Sequence, residues 1–135
     1  MTTPPRPVRD LDSAPFWDAL DRHELLVQRC TACGSLQFPF RPVCTACLAP
    51  SPSTIAVSGT GEIVSWITTH RVFHPAFADR VPYTTVLVRL AEQSDLLVYG
   101  GWLGPVALLR EGLRVHGRFS DHEGFTLVDW EPQEP

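Results

Sequence analysis

The chain has 135 residues, 44% apolar and 19% charged, which suits one ordinary domain or a small metal module joined to a modest second unit and excludes a disordered chain. No stretch nears the roughly 18 uninterrupted apolar residues of a membrane span, and residues 1–9 lack a signal peptide's apolar run, so a soluble, cytoplasmic protein is expected. All eleven basic residues are arginines, scattered from Arg6 to Arg118 in a chain of formal charge −4; a Schiff-base lysine is excluded and the basic stripe of a nucleic-acid binder is absent.

Residues 1–13 are proline-rich and aperiodic, and read as a flexible arm or an extended strap. Asp12 or Ser13 can then cap a helix through Pro15, Phe16, Trp17, Ala19, Leu20 and Asp21, proline being tolerated in the first turn. Phe16, Trp17 and Leu20 share one face. A helix of two to three turns does not stand alone in water, so that face must dock on something. Residues 24–29 read as a strand and residues 36–40 as its return, kept short by Pro39 and Pro42.

Between and after these strands lie Cys30-Thr-Ala-Cys33-Gly34 and Cys44-Thr-Ala-Cys47, which use all four cysteines of the chain. Each C-x2-C pair can wrap a tight knuckle whose backbone N–H groups face the sulfurs, so four thiolates converge on one tetrahedral ion. Zinc is the expected ion and its role structural, because a four-sulfur site leaves no open position for a substrate. Four thiolates around Zn²⁺ would take the net charge to about −6. Two disulfides would need an oxidising compartment. A single iron, as in a rubredoxin, shares the paired-knuckle logic and would be betrayed by colour.

Residues 48–54 are rich in proline and serine and read as the linker between modules. A β pattern follows. Gly59-Thr-Gly61, where a bulge or corner is expected, opens a long strand over residues 62–73. Residues 83–90 and 95–102 form a hairpin, and the crossover 103–112 holds a helical turn. Residues 113–120 and 125–130 supply two more strands across a polar turn at 121–124. Five strands with a short helical link between the third and fourth is the layout of a Greek-key OB barrel. The expected fold class is therefore mainly β: N-terminal helix, rubredoxin-like zinc ribbon, then a five-stranded OB-fold barrel. The expected divisions are arm 1–13, helix and ribbon 14–50, and OB-fold domain 51–135.

Several motifs, in this order, resemble one family. They are Phe16-Trp17 in the leading helix, Leu26-Val-Gln-Arg-Cys30-x2-Cys33-Gly34, and Phe38-Pro-Phe-Arg-Pro42 before Cys44-x2-Cys47. Gly59-x-Gly61-x-Ile63-x-Ser65-Trp66, Pro82-Tyr83 and Glu111-Gly-Leu-Arg-Val115 complete the set. Together they resemble the DUF35 family of zinc-ribbon and OB-fold proteins that accompany acyl-CoA enzymes. The resemblance spans about residues 14–130, departing at Phe40 and Thr45, where proline is usual. It implies an accessory subunit bound to a thiolase-like, aldolase-like or MaoC-like enzyme, holding the CoA-linked substrate or completing the partner's channel while chemistry happens on the partner.

The residues themselves offer no catalyst. The cysteines are committed to metal, there is no glycine-rich phosphate loop leading into a helix, and the five histidines read as surface or strand residues. His74 alone sits in a loop, Phe73-His74-Pro75-Ala-Phe77, placed to meet a ligand or partner. Aromatics and arginines anchor interfaces, which makes Phe16, Trp17, Trp66, Phe73, His74, Phe77 and Trp102 the candidate contact residues, with Tyr83 and Trp130 beside them. Arg41 and Arg71 are the candidate partners of CoA phosphates. Two alternatives use the same barrel: a stand-alone acyl-CoA-binding module, and a single-stranded nucleic-acid binder stacking bases on its aromatics, which the charge disfavours.

Overall fold

A computed structural model describes residues 4–133, so the arm's residues 1–3 and the last two positions of the OB-fold division lie outside the described residues. Helix α1 spans Ala14–Asp21 and is followed by β1 (Leu26–Arg29), β2 (Leu36–Gln37) and β3 (Ser53–Ala56), then β4 (Thr60–Thr69), β5 (Tyr83–Leu90), β6 (Leu97–Gly101), β7 (Arg114–His122) and β8 (Phe125–Pro132). The strands form a three-stranded sheet of order β2-β1-β3 and a five-stranded sheet of order β6-β5-β4-β7-β8.

The start of α1 differs from expectation. The Ser13 side chain caps no helical N–H; instead Asp10 accepts from Ser13 N at 2.7 Å while Ser13 Oγ accepts from Asp10 N at 3.2 Å. That reciprocal pair is a capping box one turn upstream, and Ala14 N donates to Asp10 O at 3.0 Å. The preceding residues run as a strap. Arg9 reaches Asp18 at 2.6 Å, Asp21 at 2.8 Å and the Gly124 carbonyl at 3.2 Å, tying the strap to α1 and to the β7–β8 turn.

The expected linker at 48–54 is absorbed into the ribbon. Val43 bridges Pro50, and β3 pairs with β1 from Leu26↔Ala56 to Arg29↔Ser53, so Ile55 and Ala56 belong to the ribbon sheet and not to the barrel. The return strand is also shorter than expected, two residues at β2, because Pro39 and Pro42 cannot donate to a ladder. In β4 the register shifts between Ile63 and Ser65, which puts the bulge at Val64 and not at the glycines. The strand ends at Thr69, four residues before the expected Phe73.

The larger sheet has OB topology, but its closure is partial. Strands β6 and β8 meet in a single parallel bridge, Trp102↔Trp130, reinforced by Leu103 N to Trp130 O at 2.8 Å. Helix α1 lies against β8 and adds Phe16 and Leu20 to the core beside that incomplete seam. One apolar cluster runs from α1 through Leu25 and Val27 of the ribbon to Ile63, Val86, Val88, Leu90, Val115 and Trp130 of the barrel. Ribbon and barrel are therefore packed on each other. The strict alternation of buried and half-buried residues along β5 is the period-2 signature of a strand with one face in that core.

Candidate metal centre and ligand surface

Strand β1 delivers Cys30 and the return loop delivers Cys44, both buried, while Cys33 and Cys47 sit exposed one knuckle further on. The two knuckles repeat each other. Gly34 N donates to Cys30 O and Leu48 N to Cys44 O, each at 2.9 Å, and the closing residues have φ of +76° and +67°. Ala32 N and Cys33 N approach the Cys30 sulfur at 3.4 Å, and Ala46 N approaches the Cys44 sulfur at 3.3 Å.

All four sulfurs lie within 4.8 Å of one another, with Cys30 to Cys47 at 3.5 Å and Cys33 to Cys44 at 3.7 Å. A tetrahedral ion with metal–sulfur bonds of about 2.3 Å needs sulfurs about 3.8 Å apart, so the donor set fits such an ion. The electrostatics agree. Backbone N–H groups of Cys33 and Ala32 bring the Cys30 thiol down to about 6, and those of Cys47 and Ala46 lower that of Cys44. Cys47 receives the Ala49 N–H, yet the Cys30, Cys33 and Cys44 sulfurs around it push it up to about 12. Four anions this close require a cation among them.

Behind the metal site the ribbon's interior is polar. Gln28 and Gln37, cross-strand partners in β1 and β2, are both buried, and Gln37 Nε2 donates a 2.8 Å hydrogen bond to Gln28 Oε1. Gln28 takes the N–H of Arg41 at 2.7 Å and gives to its carbonyl at 2.9 Å. Gln37 gives to Val43 O at 3.0 Å and accepts from Thr45 N at 2.9 Å. Two side chains thus hold the loop that carries Cys44. The alternation of the sequence does not reveal this brace, because a glutamine in a strand ordinarily faces water.

The candidate contact residues scatter. Phe16 is a core residue, and Trp17, Phe38 and Phe40 pack around it with ring centroids 5.0, 5.1 and 5.9 Å away. Trp17 also lines an apolar groove of about 330 Å³ with Tyr99 and Leu127. Trp102 is half-buried at the seam, its indole N–H on Pro105 O at 3.1 Å, and Trp130 is fully buried. Among the described residues, Trp130 Nε1 is the buried side-chain nitrogen without a hydrogen-bond partner. Trp66 lies on β4, 38% exposed.

In the 70–82 loop, Phe73 is 72% exposed with the Arg71 guanidinium 5.3 Å from its ring centre, and Phe77 packs on Tyr83 at 5.3 Å. His74 Nδ1 accepts the Ala76 N–H at 3.0 Å, a capping role for the short helical turn Pro75–Phe77. Arg41 is exposed on the ribbon, its backbone N–H and carbonyl held by Gln28. His23, just past the end of α1, bonds Asp121 at 2.8 Å and stacks on Phe119, clasping α1 to β7. Two arginines that the sequence does not single out as contact residues, Arg110 and the Arg114 of the Glu111–Val115 motif, line one groove beside the crossover. Only the turn at Glu111-Gly112 hints locally that they are brought together.

Fold and sulfur cluster together define a metal-ribbon protein with an OB-fold partner module. Residues 17–53 match the family model of the ChsH2 rubredoxin-like zinc ribbon domain, and residues 54–120 match that of the ChsH2 C-terminal OB-fold domain. The structure of an Ltp2-ChsH2(DUF35) aldolase contains a chain that is 30% identical, superposes with a TM-score of 0.85, and shares 94% of this chain with 98% of its own length. The chain belongs to the DUF35 family.

Two further relatives are longer. A probable enoyl-CoA hydratase alpha subunit of Thermomonospora curvata is 38% identical over 93 residues, 69% of this chain and 28% of that protein. The 3-oxo-4,17-pregnadiene-20-carboxyl-CoA hydratase alpha subunit of Mycobacterium tuberculosis is 32% identical over 131 residues, 96% of this chain and 40% of that protein. The chain thus spans less than half the length of either. Among the described residues no helix is long and apolar enough to cross a membrane.

Proposed function

We propose that this chain is a non-catalytic accessory subunit of an acyl-CoA-processing enzyme of aldolase, thiolase-like or hydratase type, with zinc as the structural ion of its ribbon. The observation that carries the reading is the near-complete superposition on the DUF35 chain of an aldolase, across both modules and not one alone. Several side chains suited to catalysis are otherwise engaged. The four cysteines form the metal cluster, and ring nitrogens of His23, His74 and His116 are bonded to Asp121, the Ala76 N–H and Glu131. When bound, zinc would supply no substrate chemistry, because four sulfurs complete its coordination.

The test is co-expression with a candidate acyl-CoA enzyme of aldolase, thiolase-like or hydratase type from the same organism. The two are expected to co-purify in fixed ratio, the isolated chain to show no turnover of acyl-CoA thioesters, and the enzyme to lose activity or solubility when this chain is omitted. Turnover by the purified chain overturns the reading. Elemental analysis is expected to find about one zinc per chain in colourless protein. A red, iron-loaded protein would instead assign the site to electron transfer.

A further inference from the structure

The turn that joins β5 to β6 belongs to the barrel, yet two of its side chains bond chain outside the barrel sheet. Glu92 accepts the Ser58 N–H at 2.7 Å, in the segment that leads from β3 to β4. Gln93 reaches Leu36 in β2, 57 residues away in sequence. Its Oε1 accepts the Leu36 N–H at 2.8 Å, and its Nε2 donates to the Leu36 carbonyl at 2.6 Å and to Asp95 at 2.6 Å. A glutamine amide carries an acceptor and two donors, so Gln93 serves Leu36 as a neighbouring strand would. Strand β2 is two residues long and lies at the edge of its sheet, paired on one side with β1. Gln93 occupies the other side.

From β2 the bonds run on to the sulfurs. Gln37, the next residue, holds both neighbours of Cys44, giving to Val43 O at 3.0 Å and accepting from Thr45 N at 2.9 Å, while Gln28 beside it fixes Arg41. The series Gln93, β2, Gln37 and the loop of Cys44 therefore contains no hydrogen bond longer than 3.0 Å. Its barrel end is anchored. Leu96, wholly buried, returns its N–H to Gln93 O at 3.2 Å, Leu90 N donates to Leu96 O at 2.9 Å, and Arg89 Nε donates to Ser94 O at 3.0 Å. Groups that stand behind metal ligands fix where the donor atoms sit, and losing one costs about 10–100-fold in metal affinity.

We propose that Gln93, a residue of the barrel, is a positioning residue of the metal centre, holding β2 so that Gln37 keeps Cys44 where the ion needs it. Gln93 governs how long the ribbon keeps its ion, and not which atoms bind it. The proposal rests on the reading of the four sulfurs as a zinc site and is independent of the accessory role.

The experiment follows zinc loss from the metal-loaded full chain to a chromogenic chelator, beside the thermal midpoint of each sample. Gln93→Glu keeps the size of the side chain but sets a carboxylate oxygen where the Leu36 carbonyl needs a donor. It is expected to release zinc about tenfold faster than the wild type, and Gln93→Ala to do the same. Val115→Ala, which opens a cavity among fully buried residues of the barrel, should lower the thermal midpoint more and leave the release rate unchanged. The cobalt-substituted Gln93→Glu protein should keep the absorption bands of a tetrahedral four-sulfur site, because its ligands are the same. Release as slow in both Gln93 variants as in the wild type would overturn the proposal. So would release that tracks the thermal midpoint through all three variants, or a cobalt spectrum that shows a lost sulfur. Wild-type protein without stoichiometric metal would overturn the zinc reading and this proposal together, whereas zinc held equally by wild type and Gln93 variants removes this proposal alone.

Discussion

In the barrel, Ile63, Val86, Val88, Val115 and Trp130 are wholly withdrawn from water, whereas around the metal site the ribbon buries two glutamines and the cysteines Cys30 and Cys44. Burying one large aliphatic side chain contributes about 1.5–3 kcal/mol, so the barrel is held chiefly by area removed from water. The ribbon's three short strands cannot collect such area. It has instead a four-sulfur site fit for a metal ion and hydrogen bonds that each need a named partner, which makes it intolerant of single losses. The difference is softened at one boundary, where Leu25 and Val27 reach from the ribbon into the common core.

The sharpest way to separate the two regions is to remove the ion. Structural zinc supplies on the order of 10 kcal/mol to small ribbons, so Cys44→Ser or a strong chelator should unfold β1, β2 and β3. Amide hydrogen exchange checks it: protection should vanish in those strands and persist in β5, β7 and β8. Equal loss in both would show that the shared core makes one cooperative unit. Next in size is Gln37→Leu, which strands the Val43 carbonyl and the Thr45 N–H and is expected to cost about 2–4 kcal/mol in urea unfolding. That places a polar residue of the ribbon on a par with Leu90→Ala in the barrel, about 2–5 kcal/mol. A cost below about 1 kcal/mol would mean the brace is dispensable.

The smallest effect compares the knuckles themselves. Gly34 closes the first without strain, while Leu48 closes the second at φ +67° with its side chain 74% exposed. Leu48→Gly should therefore raise stability by about 1 kcal/mol, seen as a higher thermal midpoint of the metal-loaded protein. A lowered midpoint would show that Leu48 makes contacts outweighing its backbone strain.

Much of this was legible because it is local. The C-x2-C spacing, the alternation in residues 83–90 and the short amphipathic helix each announce themselves within a few residues, and the metal cluster and most strands follow them. Errors arose where distant chain decides. Serine and proline around residue 51 read as linker, yet β1 offered an open edge and residues 53–56 took it. The β pattern runs on past Thr69, but the strand stops there and the chain leaves the sheet for the 70–82 loop. Trp130 was grouped with the aromatics on or beside the barrel, and the fold buries it completely in the core. His23 and His74 are spent on Asp121 and on a backbone N–H, partners that spacing alone could not assign.

The sequence by itself determined the chemistry of the metal centre, since four sulfurs in two knuckles can satisfy a tetrahedral ion through bonds formed within each turn. It also determined that a β-rich module follows. The tertiary structure decided which surface is open: how far the seam between β6 and β8 closes, which aromatics are core, and that Arg110 and Arg114 line one groove beside uncovered leucines. Those outcomes depend on packing between segments far apart in the chain, whose free energies no local pattern encodes.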